Sequence, residues 1–110
     1  MLHADRRRVQ RVMLRVHACV HVSLQGTPTT LETTTMNVSS AGALLILQKG
    51  LPVDCRLVLE HGQSKERVAC HVTRPAREMP EGFHVSVEFD SPAPNFWGIA
   101  FPPADWRPVD

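Results

Sequence analysis

The stretch VMLRVHACVHVSL, residues 12–24, alternates apolar and polar side chains along its whole length. Its regularly spaced apolar positions are Val12, Leu14, Val16, Ala18, Val20, Val22 and Leu24. Arg15, His17 and His21 fall between them, on the other face. A period of two residues is typical of a β-strand with one buried face, because successive side chains point to opposite sides. The stretch therefore predicts one long strand that covers a core.

The rest of the chain carries the same signal in shorter pieces. Further strands are predicted at residues 29–35, 43–47, 53–59, 68–72 and 83–89. Turn residues separate these strands, and residues 75–82 are predicted to be a polar loop. No stretch shows helical periodicity, and nine prolines and six glycines interrupt the chain at short intervals. Six strands joined in this way predict an all-β fold, a small antiparallel barrel.

Size and composition indicate one globular domain. A chain of 110 residues with 43% hydrophobic and 21% charged residues can bury a single core. No apolar run reaches the roughly 20 residues that cross a bilayer, and residues 1–11 are charged where a signal peptide would be apolar. We therefore expect a cytoplasmic protein with no membrane partner. Cys19, Cys55 and Cys70 form no CxxC pair and are predicted to be free thiols.

Basic charge is concentrated near the N-terminus. Residues 1–31 contain five arginines and one acidic residue, whereas residues 32–110 contain seven basic and ten acidic residues. The five arginines are Arg6, Arg7, Arg8, Arg11 and Arg15. In a chain whose net charge is +1, such local charge suits a compact anion better than a long nucleic acid. A solvated basic tail without a ligand accounts for the charge equally well.

Two short motifs carry groups that recognise a compact anion. The first is RxxxR, at Arg7 and Arg11. A guanidinium binds phosphate, or the O6/N7 edge of guanine, through two parallel hydrogen bonds. The second motif is NxSxxG, in which an extended chain projects Asn37 and Ser39 from one face, and Gly42 allows a positive φ or a close backbone approach. Taken alone, the second motif also fits an ordinary turn between strands.

In this order and spacing, the two motifs resemble those of the PilZ domain family, RxxxR followed by [D/N]xSxxG. The chain carries both without substitution. The resemblance covers roughly residues 6–90, including stretches similar to the family's third, fifth and closing strands at residues 42–46, 68–72 and 82–89. Two features differ. Ser86 stands where many relatives have glycine, and the C-terminal segment does not look helical, although the family often ends in a helix.

The resemblance implies a single domain, a six-stranded split antiparallel β-barrel that binds cyclic di-GMP. Residues 1–11 would be a flexible arginine-rich segment, residues 12–90 the barrel, and residues 91–110 a proline- and aromatic-rich segment packed on it. The implied ligand-binding residues are Arg7, Arg11, Asn37, Ser39 and Gly42, with Arg8 and Arg6 as secondary contacts. Arg6, directly before the motif, would favour a stacked ligand pair over a single molecule. Such a receptor has no catalytic residue, metal or cofactor, and signals to a downstream protein partner by changing conformation.

Three other functions compete with this interpretation. His17, Cys19 and His21 share one strand face and suggest a metal or Cys-His site, but no further ligand spacing or catalytic motif accompanies them. Small barrels also bind single-stranded nucleic acids, yet residues 1–82 contain no aromatic side chain on which bases could stack. The third alternative is a degenerate PilZ-like adaptor that binds only proteins, and the intact motifs argue against it.

The C-terminal segment from Ser91 holds four of the six aromatic residues of the chain. They are Phe96, Trp97, Phe101 and Trp106. Because prolines disfavour a long helix there, we expect these rings to close one opening of the barrel or to lie across its wall. A docking surface for a partner is the alternative.

Overall fold

The computed structural model describes residues 11–101, which form seven β-strands. These are β1 His17–Leu24, β2 Thr27–Ser39, β3 Gly42–Leu47, β4 Arg56–His61, β5 Arg67–Val72, β6 Arg77–Met79 and β7 Gly82–Phe89. Hydrogen-bonded neighbours follow the order β3-β2-β1-β4-β5-β7, and β3 also pairs with β7. Six antiparallel strands thus close into a barrel, while β6 adds a short extra strand to β7. The predicted all-β, six-stranded antiparallel barrel is confirmed.

The alternating pattern of the sequence fills the interior of this barrel. Ala18 and Val20 on β1 are fully buried, and so are Leu45 on β3 and Leu59 on β4. Each fully buried valine or leucine side chain contributes roughly 1.5–3 kcal/mol to the stability of the fold. Within residues 11–101 there is no helix, and so none that is long and apolar enough to span a membrane.

The first strand begins later than the sequence predicts, at His17 rather than Val12. The reason is the side chain of Thr35, on the neighbouring strand β2. Its hydroxyl accepts a hydrogen bond from the Val16 amide at 2.8 Å and donates one to the Leu14 carbonyl, so a side chain takes over part of the regular backbone pairing, of which the bond from the Thr35 amide to the Val16 carbonyl remains. Val12 then forms an isolated bridge with Val38. The alternation in residues 12–16 therefore reports partial burial against the core rather than a strand.

A second difference falls in the predicted polar loop, residues 75–82. Arg77–Met79 form strand β6 and pair with residues 82–84 of β7. Three residues are too few to show a period of two, and their pairing partner follows immediately in the chain. The prediction of a loop is therefore wrong for these residues.

Gly42, at the start of β3, lies where β3 and β7 close the barrel. It is paired with Glu88, and a Cβ atom at Gly42 would lie 2.2 Å from the Val87 carbonyl oxygen. Real Cβ atoms do not approach a backbone oxygen so closely. The φ angle of Gly42 is not in the left-handed region. Of the two reasons for a glycine here, the close backbone approach is therefore the one that applies.

We expect Gly42→Ala to lower the free energy of unfolding by about 3 kcal/mol, because the added methyl group forces the β3 and β7 backbones apart. Gly26→Ala is the matched control. Gly26 has a positive φ of 79° but open space around it, so only its backbone conformation penalises the substitution, by about 1 kcal/mol. Urea unfolding of both variants provides the comparison. An equal loss of stability would show that the contact with Val87 does not constrain the barrel.

Candidate functional site

The NxSxxG motif spans the end of β2, a two-residue turn and the start of β3. A β-bulge between Thr35 and Asn37 shifts the register of β2 just before the motif. After the bulge, Val38 points into the core and is fully buried. Because neighbouring side chains on a strand point to opposite faces, Asn37 and Ser39 leave the strand on the other side. Asn37 is half-buried at this position.

Arg11, the second arginine of the RxxxR motif, lies beside Asn37. The backbones of Val12 and Val38 exchange two hydrogen bonds, of 2.8 and 2.9 Å, and these hold the chain next to the end of β2. From this position Arg11 Nη1 donates to Asn37 Oδ1 at 3.0 Å. Arg11 is otherwise exposed. The two motifs, separated by most of a hairpin in the sequence, therefore meet in space.

Ser39 contributes to the shape of the turn. Its side chain is buried, with only 5% of the residue exposed. The hydroxyl accepts a hydrogen bond from the Ala41 amide at 3.1 Å and lies 3.5 Å from the Gly42 carbonyl, to which it donates. In this state the hydroxyl is engaged within the turn and is not offered to the solvent. Any contact of Ser39 with a ligand would require this short network to open.

The remaining predicted site residues, Arg6, Arg7 and Arg8, lie outside the described residues, as does nearly all of the predicted flexible segment 1–11. Within residues 11–101, the structure brings together Arg11, Asn37, Ser39 and Gly42. This group joins one end of the first motif to the whole of the second.

Trp97 is a neighbour of the motif that sequence reasoning missed. Its indole Nε1 donates to the Ser39 carbonyl at 2.9 Å, and 3% of the residue is exposed. The concentration of aromatic residues after Ser91 predicts packing on the barrel, but no local signal specifies which carbonyl an indole N–H will reach. The C-terminal segment therefore touches the motif directly.

Comparison with known families identifies the family of this chain. The family model described as "PilZ domain" matches residues 5–95, most of the chain. The protein therefore belongs to the PilZ domain family, whose members are binding modules rather than enzymes and generally bind cyclic di-GMP. PilZ domains also often interact with partner proteins. A search of curated proteins gives no match.

The two histidines of the competing site on β1 already have carboxylate partners. His17 Nε2 lies 3.2 Å from Glu32 Oε1, and His21 Nε2 lies 2.7 Å from Glu60 Oε1. Cys19 lies between the two histidines on the same outer face. No group of three or more potential metal ligands occurs among residues 11–101. The geometry gives these histidines the role of surface hydrogen-bonding groups.

A groove of about 490 Å³ runs along the same outer wall. Val58 and Ala69 line it, together with His21 and Thr30. Asp90 lies at its margin and contacts Arg56 at 3.0 Å. Arg11, Asn37, Ser39 and Gly42 do not line the groove, so it is separate from the part of the candidate ligand site that lies within residues 11–101.

Glu60 is the centre of the charge network on this wall. The hydrogen bond from His21 lowers the pKa of Glu60, and the charge of Arg67, 3.1 Å away, lowers it further, while partial desolvation opposes both effects. A carboxyl group whose pKa is lower in the folded than in the unfolded chain stabilises the fold above its unfolded value, about 4.3. That stabilisation is lost as the pH falls through the folded-state pKa.

Replacing Glu60 with Gln should therefore flatten the acid limb of the stability curve. We expect the Tm of Glu60→Gln to fall less steeply than that of the wild type between about pH 5 and pH 3, because the variant has no carboxylate to protonate there. Glu66→Gln, at an exposed position in the β4–β5 turn, is the control. Thermal unfolding over this pH range tests the prediction, and parallel curves for wild type and Glu60→Gln would contradict it.

Proposed function

We propose that this protein is a receptor for cyclic di-GMP that signals to a downstream protein partner through a change in conformation. The observation that carries the proposal is the contact between Arg11 Nη1 and Asn37 Oδ1, at 3.0 Å. It joins two motifs that belong to the same ligand site in the PilZ family, to which the chain belongs. Since that ligand is a second messenger, we place the receptor in the cytoplasm.

The chemistry of the paired motifs matches the ligand. Cyclic di-GMP presents two phosphates and two guanine bases. The exposed guanidinium of Arg11 can bind a phosphate or the O6/N7 edge of guanine through two hydrogen bonds. The carboxamide of Asn37 can both donate to and accept from a base edge. Arg7 supplies a second guanidinium in this proposal, and Arg8 and Arg6 are secondary contacts.

Ligand binding would change the partner of Arg11. In the free protein, Arg11 is bonded to a neutral amide oxygen at an exposed position, which is a weak interaction in water. A phosphate carries a full negative charge, so the bond between it and the guanidinium is stronger. Arg11 is therefore expected to turn toward the ligand and to release Asn37 Oδ1 for a guanine. This exchange of partners is the conformational step that the proposal requires at the site.

The arginine segment completes the mechanism. The four arginines Arg6, Arg7, Arg8 and Arg11 carry like charges with only Asp5 as a nearby acid in the sequence. The two phosphates of the ligand supply the missing negative charge, and we propose that residues 5–11 fold over the ligand when it binds. Several charge-assisted hydrogen bonds of about 1.5–3 kcal/mol each would offset the entropy cost of about 1–2 kcal/mol per ordered residue.

Isothermal titration of the purified protein should show saturable binding of cyclic di-GMP and far weaker binding of GTP or ATP. The mononucleotides offer one base each and lack the cyclic dianion that the two motifs match. Absence of saturation at tens of micromolar, which corresponds to about −6 kcal/mol, would overturn the proposal and favour a protein-binding adaptor without a ligand.

Variants of the two motifs should weaken binding unequally. We expect Arg11→Ala to weaken the affinity by about 10- to 100-fold, because it removes a charged partner of the phosphate, and Asn37→Ala by about fivefold, because it removes a neutral one. Arg56→Ala is the matched control. Arg56 is also an exposed arginine, on β4, where it pairs with Asp90 away from both motifs. Titration of the three variants decides the point: a loss in Arg56→Ala equal to that in Arg11→Ala would mean that only net charge matters.

A further inference from the structure

The turn that carries the NxSxxG motif does not have the geometry of a self-supporting hairpin turn. Two-residue turns match the twist of the flanking strands when their central residues have positive φ. The β1–β2 turn meets this condition, with φ of 52° at Gln25 and 79° at Gly26. In the β2–β3 turn, neither Ser40 nor Ala41 has a positive φ. This turn therefore needs support from outside.

The support comes from the last residue of β7 and from the chain that follows it. The Phe89 amide donates to the Ala41 carbonyl at 2.7 Å, and the Ala93 amide donates to the Ser40 carbonyl at 3.3 Å. Trp97 Nε1 donates to the Ser39 carbonyl at 2.9 Å. The carbonyls of three consecutive residues in and beside the turn are thus held by one distant segment. Trp97 is the only one of these donors that belongs to a side chain.

The indole of Trp97 is itself fixed in place. It packs edge-on against Phe96, with ring centres 4.9 Å apart, and lies stacked on Phe89 at 6.2 Å. The His61 ring also lies beside the indole, and the centres of these two rings are 6.0 Å apart. Because these rings belong to the buried core, the N–H group points in one direction only. Without this donor the turn keeps its pairing with β3 and the two backbone bonds from Phe89 and Ala93, but water has no access to the buried carbonyl, so we expect the turn to loosen.

We infer that Trp97 is a positioning residue of the ligand site, which holds the β2–β3 turn in its binding geometry through the Ser39 carbonyl. Where ligand binding is concerned, this inference rests on the proposed function. If Trp97 favours the binding-competent turn, ligand binding must by thermodynamic reciprocity stabilise the Trp97 contact. The segment that contains Ala93 and Trp97, which follows the last strand of the barrel, is then expected to respond to the ligand as well.

The test removes the donor while keeping the aromatic packing. One variant is Trp97→Phe. The second carries 3-benzothienylalanine, incorporated site-specifically at position 97, in which sulfur replaces the N–H at nearly the same shape. Val20→Ala is the control, because it opens a cavity in the core on β1 and removes neither a ring of the aromatic cluster nor a hydrogen bond to the turn. Two quantities are measured: hydrogen exchange of the Ala41 and Gly42 amides in the free protein, and the Kd for cyclic di-GMP.

We expect both position-97 variants to exchange the Ala41 amide about five- to tenfold faster than the wild type and to bind cyclic di-GMP about five- to tenfold more weakly. Val20→Ala should lower the Tm at least as much but leave the Kd within twofold. If the Ala41 amide exchanges at the wild-type rate in both position-97 variants, the inference is overturned, whether or not the ligand binds. If the wild type binds cyclic di-GMP, an unchanged Kd in both position-97 variants also overturns the inference. Failure of the wild type itself to bind overturns the proposed function instead, and the exchange rates still decide whether Trp97 holds the turn.

Discussion

The pairing of β3 with β7 is the constraint on which the rest of the structure depends. It converts an open sheet into a closed barrel, and it removes two edges that would otherwise expose unpaired backbone groups. The closure requires the two backbones to approach so closely at Gly42 that no other residue has room beside Val87. One glycine at the start of β3 therefore allows the core to be enclosed.

The same closure assembles the candidate ligand site. Because β3 begins beside the end of β7, the turn before β3 lies next to the chain that leaves β7. The indole of Trp97 reaches the turn from that side, while Arg11 reaches Asn37 through the bridge between Val12 and Val38. Three stretches that are far apart in the sequence thus meet at one place. A turn held in this way is preorganised, so a ligand would pay less to order it.

The site combines a firmly held part with a part that is easily exchanged. The Ser39 carbonyl and the Trp97 indole are buried, and their hydrogen bond cannot be replaced by water. The bond between Arg11 and Asn37 is exposed, so water competes for both groups and little stability is lost when it opens. The pair of His17 and Glu32 on the outer wall is also exposed and contributes little. Burial thus separates the groups that maintain the fold from those that can change partners.

The sequence alone determined the class of fold and named the residues of the candidate site. Alternation of side chains reports burial, which is a local property, and it predicted the barrel; the two motifs named Arg11 and Asn37 as a pair. Hydrogen-bond partners, in contrast, are set by how distant segments pack. For that reason the sequence could not show that Thr35 would interrupt the first strand, that residues 77–79 would pair with β7, or that Trp97 would bond to Ser39. The contacts of Thr35 and Trp97 join residues that are far apart in the chain, and residues 77–79 form a stretch too short to show periodicity. Only the closed tertiary structure therefore decided them.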